Sequence, residues 1–255
     1  MFMRSMAVGF SALVATSCVT GQDQLPPSAP APAPSPAAAV AAPASPQAAI
    51  GTPPKTCSGE TQPSADGALE DFEDGNGQVA SVAGRNGYWF TAKDEKGSVI
   101  DPTGEFKVSE GGAGSKKAAN VKGKTVAVDG AWGATVGLNF VQGGFYDLSK
   151  YAGVAFKIKA AKPGAVRVKF PDVNTVPQGG ICSSGCWNAF GKDLSLTTDW
   201  QEVRVLFAEL KQQDGWGDPR PPSLSTNKVQ SMEWSIDKGQ EFDIWIDDVQ
   251  LIDCK

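Results

Sequence analysis

From about Gly67 to the end of the chain, apolar and polar residues alternate with a period of two in short runs cut by Gly, Asp, Asn and Pro. That alternation narrows the possible folds more than any other feature, because a pleated strand with one buried face needs it and a helical stripe forbids it. The clearest runs are Val136-Leu138-Phe140, Val154-Phe156-Ile158, Val166-Val168-Phe170, Met232-Trp234-Ile236 and Phe242-Ile244-Ile246. Between them stand Lys157, Lys159, Arg167, Lys169, Glu233 and Asp243, so each strand is expected to keep one side in water, as antiparallel sheets allow. Only Phe207 to Gln213 hints at a helical turn. Many short strands without a long amphipathic helix predict an all-β fold, a two-sheet antiparallel β-sandwich of jelly-roll type.

The first quarter of the chain has a different texture. Residues 1–18 read as an export signal: Arg4, an apolar run from Met6 to Ala15, then small residues up to Cys18. The apolar run is too short for a permanent membrane span. Ala15-Thr16-Ser17-Cys18 resembles a bacterial lipoprotein processing box, with Ala15 where that box usually has Leu, and the resemblance implies lipidation at Cys18. Residues 19–56 are Pro, Ala, Ser and Gln with few large apolar side chains. They cannot bury enough surface to offset the entropy of ordering, so they are expected to be a disordered, extended tether. Residues 57–255 remain as one domain.

Five cysteines are an odd number, but setting Cys18 aside leaves an even set for an oxidising compartment. Three pairings are open. Cys57 with Cys254 and Cys182 with Cys186 is preferred, since one bond would join the domain ends and the other a short loop. A four-thiolate metal site is the rival, against which the spacing argues.

Composition removes several functions. With 0 histidines there is no imidazole base, triad or usual zinc ligand, and a formal net charge of -5 without a basic cluster argues against nucleic acid. Catalysis would have to rest on a carboxylate pair, and no pair of acids has a distinguishing context; Asp247 and Asp248 would face apart on a strand. Gly111-Gly112-Ala113-Gly114-Ser115-Lys116 does not satisfy the phosphate-loop pattern. The domain is read as a non-enzyme.

The order of local motifs then becomes informative. Asp71-Phe72-Glu73-Asp74-Gly75 opens the domain, followed by Asn86-Gly87-Tyr88-Trp89-Phe90, Trp132-Gly133-Ala134 and the run from Tyr146 to Phe156. Leu196-Thr197-Thr198-Asp199-Trp200-Gln201, Gly215-Trp216-Gly217 and Ile246-Asp247-Asp248-Val249 complete the series. This order resembles the galactose-binding-like jelly rolls of bacterial carbohydrate-binding modules, most nearly family 11, from about Leu69 to Ile252.

The resemblance implies a polysaccharide ligand, a β-glucan or cell-wall glycan, held on the concave sheet face without cleavage. It also implies a structural calcium where the first and last strands meet. Glu73 and Asp248 would supply charge, Asp71 would stand beside them with Asp74 and Asp247 in reserve, and the loop 111–115 would add carbonyls. Arg167 and Lys169 are expected at the ligand, with Asp172, Asn174 and Gln178 in the following loop. Trp187 and Asn188 would be held at the rim by the Cys182–Cys186 bond, and Tyr88 and Trp89 would offer stacking rings. Trp132 shares their Gly-rich setting, Trp234 reads as core, and Trp200 and Trp216 read as anchors of the helical turn. The expected setting is the cell envelope, as an outer-membrane lipoprotein or at the cell surface. A structural or assembly role, with the same sandwich gripping an envelope protein, is the alternative.

Overall fold

The computed structural model describes residues 51–255. The export signal, Cys18 and most of the tether lie outside the described residues. The strands are, in order, β1 (Thr61–Glu70), β2 (Trp89–Lys93), β3 (Val99–Asp101), β4 (Val108–Glu110), β5 (Lys117–Lys124), β6 (Ala134–Asn139) and β7 (Gly153–Ala160). They continue with β8 (Gly164–Phe170), β9 (Phe190–Leu196), β10 (Gln201–Leu206), β11 (Ser231–Ile236) and β12 (Glu241–Cys254). The anticipated helical turn is a single 3-10 turn, Phe207–Glu209.

All pairings are antiparallel and form two sheets. One has the order β10-β7-β12-β5-β3, with β1 on β12 and β4 on β5. The other has the order β2-β6-β11-β8-β9. The two-sheet sandwich read from the alternation is therefore the fold. All five strand runs are strands, and their apolar members Val136, Leu138, Phe156, Val168, Trp234 and Ile246 enter one core.

Trp234 sits at the centre of that core. It stacks on Trp89 with ring centroids 5.5 Å apart and 13° between planes, and takes the edge of Phe156 from the opposite sheet at 5.2 Å. Phe72 and Phe106 close on the far side of Trp89 at 4.9 and 5.5 Å. Such contacts add roughly 1 kcal/mol each to the area buried. Trp89 is only 3% exposed, which corrects its reading as a stacking ring for ligand. Its neighbours Tyr88 and Phe90 have the opposite parity and take the other face.

The cysteines pair as preferred, Cys57 with Cys254 and Cys182 with Cys186. The first spans 197 residues, and a bond closing a loop of that length restricts the unfolded chain by about 5 kcal/mol. Residues 51–56 also lie along the domain, because the Thr52 amide donates to Asn227 Oδ1 and the Thr226 amide donates to the Thr52 carbonyl.

The β1–β12 junction carries register shifts on both strands, with Phe72 and Asp248 in left-handed conformations. There Glu70 is buried: its Oε1 accepts the Asp71 and Phe72 amides while Oε2 has no partner. Burial pushes its carboxyl up to about 8. Between its unfolded value near 4.5 and 8, the folded protein keeps a proton that the unfolded chain has lost, so this group's contribution to stability falls as pH rises. Glu70→Gln is expected to flatten that decline and raise the melting temperature by several degrees at pH 9, but to change it little at pH 4. Parallel melting curves would refute the assignment.

Candidate functional site

The outer face of the five-stranded sheet can be built from its register. Phe90 pairs with Gly137, Gly137 with Glu233, Glu233 with Lys169 and Lys169 with Gly191, giving one row across all five strands. The next row on the same face is Ala92, Thr135, Ser235, Arg167 and Asp193. Two glycines in the first row keep the floor low. A Cβ at Gly137 would lie 3.0 Å from the Phe90 ring and 2.9 Å from Glu233 Cγ, and one at Gly191 would meet Arg167 Nε at 2.9 Å. A groove of about 890 Å³ runs over these rows.

Its polar floor is paired and fixed. Lys169 Nζ lies 3.1 Å from Glu233 Oε2, and the Ser231 hydroxyl donates to Glu233 Oε1 at 2.9 Å. Arg167 donates to both Asp193 oxygens at 3.0 Å and also to the Lys211 carbonyl. The cations are thus spent on neighbouring carboxylates. The floor presents oriented donors and acceptors without an unbalanced charge, which suits hydroxyl-bearing ligands better than anions.

Four large rings border the groove and remain open to solvent: Tyr88, Trp132, Trp187 and Trp216, at 45, 49, 43 and 43% exposure. Strand register places Tyr88, beside Asn139, at the same end as Trp187, which precedes β9 where Phe190 faces Phe170. Trp132 precedes β6 and so stands at the opposite end. Trp216 comes from the loop after Leu210. Exposed aromatic faces around a polar floor match the two surfaces of a sugar ring, its C–H face and its hydroxyl edge.

Of the residues expected at a ligand, Arg167, Lys169, Trp187, Asn188 and Tyr88 line this groove. The others do not. Asp172 and Asn174 are fully buried: Asp172 accepts the amides of Asn174, Thr175 and Ser225 and the Thr175 hydroxyl, folding the loop inward, and burial pushes its carboxyl up. Gln178 is exposed on a 3-10 turn away from the groove lining. Asn188 is itself buried and shapes the rim through its amide. Glu233, Phe90 and Trp216 were not expected at the site. The parity of Tyr88 and Phe90 about Trp89 was the signal for Phe90, whereas Trp216 carried none, because its position depends on a loop contact.

The carboxylates expected to hold calcium do not converge: among the described residues no group of three acids, histidines or cysteines is placed for a metal. The loop 111–117 turns donors, not carbonyls, toward them. Glu73 Oε1 accepts the Lys116 and Lys117 amides at 2.9 and 2.8 Å. Asp247 Oδ2 accepts the Ala113 amide and the Ser115 hydroxyl, both at 2.7 Å. Asp71 accepts the Glu73 amide. The Ala113 carbonyl points instead to Lys157 Nζ at 3.0 Å, and that ammonium pairs with Asp248 at 2.7 Å. The pairing with Asp248 holds the Lys157 ammonium above its ordinary pKa. As arranged, these residues do not fit a calcium ion, and a lysine supplies the local positive charge.

The family model for carbohydrate binding domain 30 matches residues 82–253. The chain belongs to that family. Its folded domain is a non-catalytic carbohydrate-binding domain. In fold it is similar to a family 11 carbohydrate-binding module from Clostridium thermocellum, solved in complex with a β-1,3-1,4-mixed-linked tetrasaccharide. That match has 16% identity and a TM-score of 0.51, and covers 75% of this chain and 98% of the module. It is likewise similar to the family 11 module of a cellulosomal cellulase of Clostridium thermocellum, at 13% identity and TM-score 0.51, covering 72% and 93%. No curated protein matches the chain.

The Lys157 arrangement predicts that chelator and added calcium both leave the melting temperature unchanged. Lys157→Met should cost about 1 kcal/mol, the scale of a partly exposed pair. A rise of several degrees on adding calcium to the wild type would overturn this reading.

Proposed function

We propose that the domain binds a linear, uncharged polysaccharide, a β-glucan or related cell-wall glycan, along the groove on the five-stranded sheet, and holds it without cleaving it. The observation that carries this reading is the border of four exposed rings around a floor whose charges are already paired. Stacking on Tyr88, Trp132, Trp187 and Trp216 would cover the apolar faces of successive sugar rings, while Lys169, Glu233, Asn139 and Arg167 would meet hydroxyls at the floor. The mixed-linked glucan bound by the family 11 module supports a β-glucan in particular. Beyond the two ion pairs of the floor, Arg167–Asp193 and Lys169–Glu233, the groove lining holds one further acid, the exposed Asp237, which disfavours uronate-rich or sulfated chains.

The same proposal places the domain at the cell envelope, joined through the Pro/Ala tether to a lipid on Cys18. Radiolabelled palmitate should enter the chain expressed in a bacterium, and Cys18→Ala should abolish labelling. Retained label in the variant would sink the anchor.

Affinity electrophoresis through gels loaded with soluble polysaccharides tests the ligand. Retardation is expected in mixed-linked β-glucan and not in polygalacturonate. Trp187→Ala and Trp216→Ala should each weaken binding by roughly 1–2 kcal/mol, about tenfold, with the fold intact. Unretarded migration of the folded chain in every gel would reject the glycan reading and favour a protein partner.

A further inference from the structure

Two of the four bordering rings belong to loops that lie far apart in sequence yet are built as one piece. Cys182 and Cys186 close a five-residue ring directly before Trp187. Trp187 then sits at φ 77, a left-handed conformation that a tryptophan rarely adopts unless its surroundings impose it. Its amide donates to the Thr175 carbonyl at 2.7 Å, which fixes the far side.

Inside the ring, Gly185 touches the other loop backbone to backbone. A Cβ on Gly185 would lie 3.0 Å from Gly217 Cα, and one on Gly217 would lie 2.7 Å from Asn188 Cβ. The Asp218 amide donates to the Ser184 carbonyl, tying the ring to the residues just after Trp216. Asn188 completes the connection: Nδ2 donates to the carbonyls of Gln213 and Trp216 at 2.9 and 2.6 Å, and Oδ1 accepts the Gln213 amide at 2.9 Å.

A bond closing so short a loop adds little to global stability beside the Cys57–Cys254 bond, because the constraint on the unfolded chain grows with loop length. Its effect is local. We propose that the Cys182–Cys186 disulfide is a positioning element of the binding groove: it holds Trp187 in its left-handed pose and, through Gly185 and Gly217, sets Trp216. Ligand affinity then depends on the redox state of one bond at the rim. This rests on the glycan reading of the groove. Pre-ordering the two rings spares the ligand the entropy of immobilising them, so opening the bond weakens binding without unfolding the domain.

The test is a double-mutant cycle on the full chain, with soluble mixed-linked β-glucan as probe and affinity measured by calorimetry. Cys182→Ser with Cys186→Ser is expected to lower affinity roughly tenfold while the melting temperature shifts little. In a Trp187→Ala, Trp216→Ala background the same pair should cost almost nothing further, because both rings it positions are gone; a merely structural bond would give additive losses. Acrylamide quenching of tryptophan fluorescence, which needs no ligand, should increase in the Ser/Ser variant and not in Cys57→Ser with Cys254→Ser examined while folded. Unchanged affinity, additive losses or unchanged quenching would each overturn the clamp. Failure of the intact chain to bind any glycan would instead reject the function reading, and the clamp would then stand or fall on quenching alone.

Discussion

Parity along β11 governs the molecule. Met232, Trp234 and Ile236 point into the core while Glu233 and Ser235 point out, and an antiparallel strand admits no other arrangement once Trp234 is committed inward. Trp234 holds that commitment through Trp89 in its own sheet and Phe156 in the other. A slip of one residue in β11 would expose the tryptophan and bury Ser235 without its cross-strand partner. The groove floor is therefore the reverse side of the core. Glu233 meets Lys169 and Ser231 because its neighbour Trp234 cannot move, and the polar chemistry of the groove floor inherits its order from apolar packing underneath.

That dependence explains how much of the fold was legible in the sequence. Alternation is a local signal, and the five clearest strands are strands with the faces it assigned. It also gave Arg167 and Lys169 their correct side. The reading went astray where the period was too short to count: Trp89 lies near the start of a five-residue strand, and its Gly-rich flank suggested an exposed loop when parity with Tyr88 and Phe90 would have turned it inward.

The site was half visible for a related reason. Residues on strands could be placed by counting, but residues in loops depend on contacts that no local pattern records. Asp172 and Asn174 follow β8 in a polar run that reads as exposed, yet the loop folds inward and the Asp172 carboxylate gathers the amides of that turn and of Ser225. Trp216 reaches the groove only because Asn188 and Gly217 hold its loop against the disulfide ring. The acids at the β1–β12 junction were expected to gather around a cation. Their partners turned out to be amides and a hydroxyl from the 111–117 loop, the Glu73 amide for Asp71, and one lysine from β7, which no spacing between acidic residues could announce.

The bond between Cys57 and Cys254 has a mechanical meaning. Beyond it, β1 pairs with the last residues of β12 from Thr61 opposite Cys254, so the chain enters and leaves the sandwich at the same pole. A pull on the residues before Cys57 would otherwise load the hydrogen bonds of β1 one after another and peel the strand from the sheet. With the disulfide in place the load enters β12 directly, a 14-residue strand paired with β7 over Ile244–Ile252 and with β5 over Glu241–Ile246, and is shared across the sheet in shear. In a domain tethered at that end and loaded through its groove, as proposed above, the cross-link would put β12 rather than the β1 ladder in the path of the force.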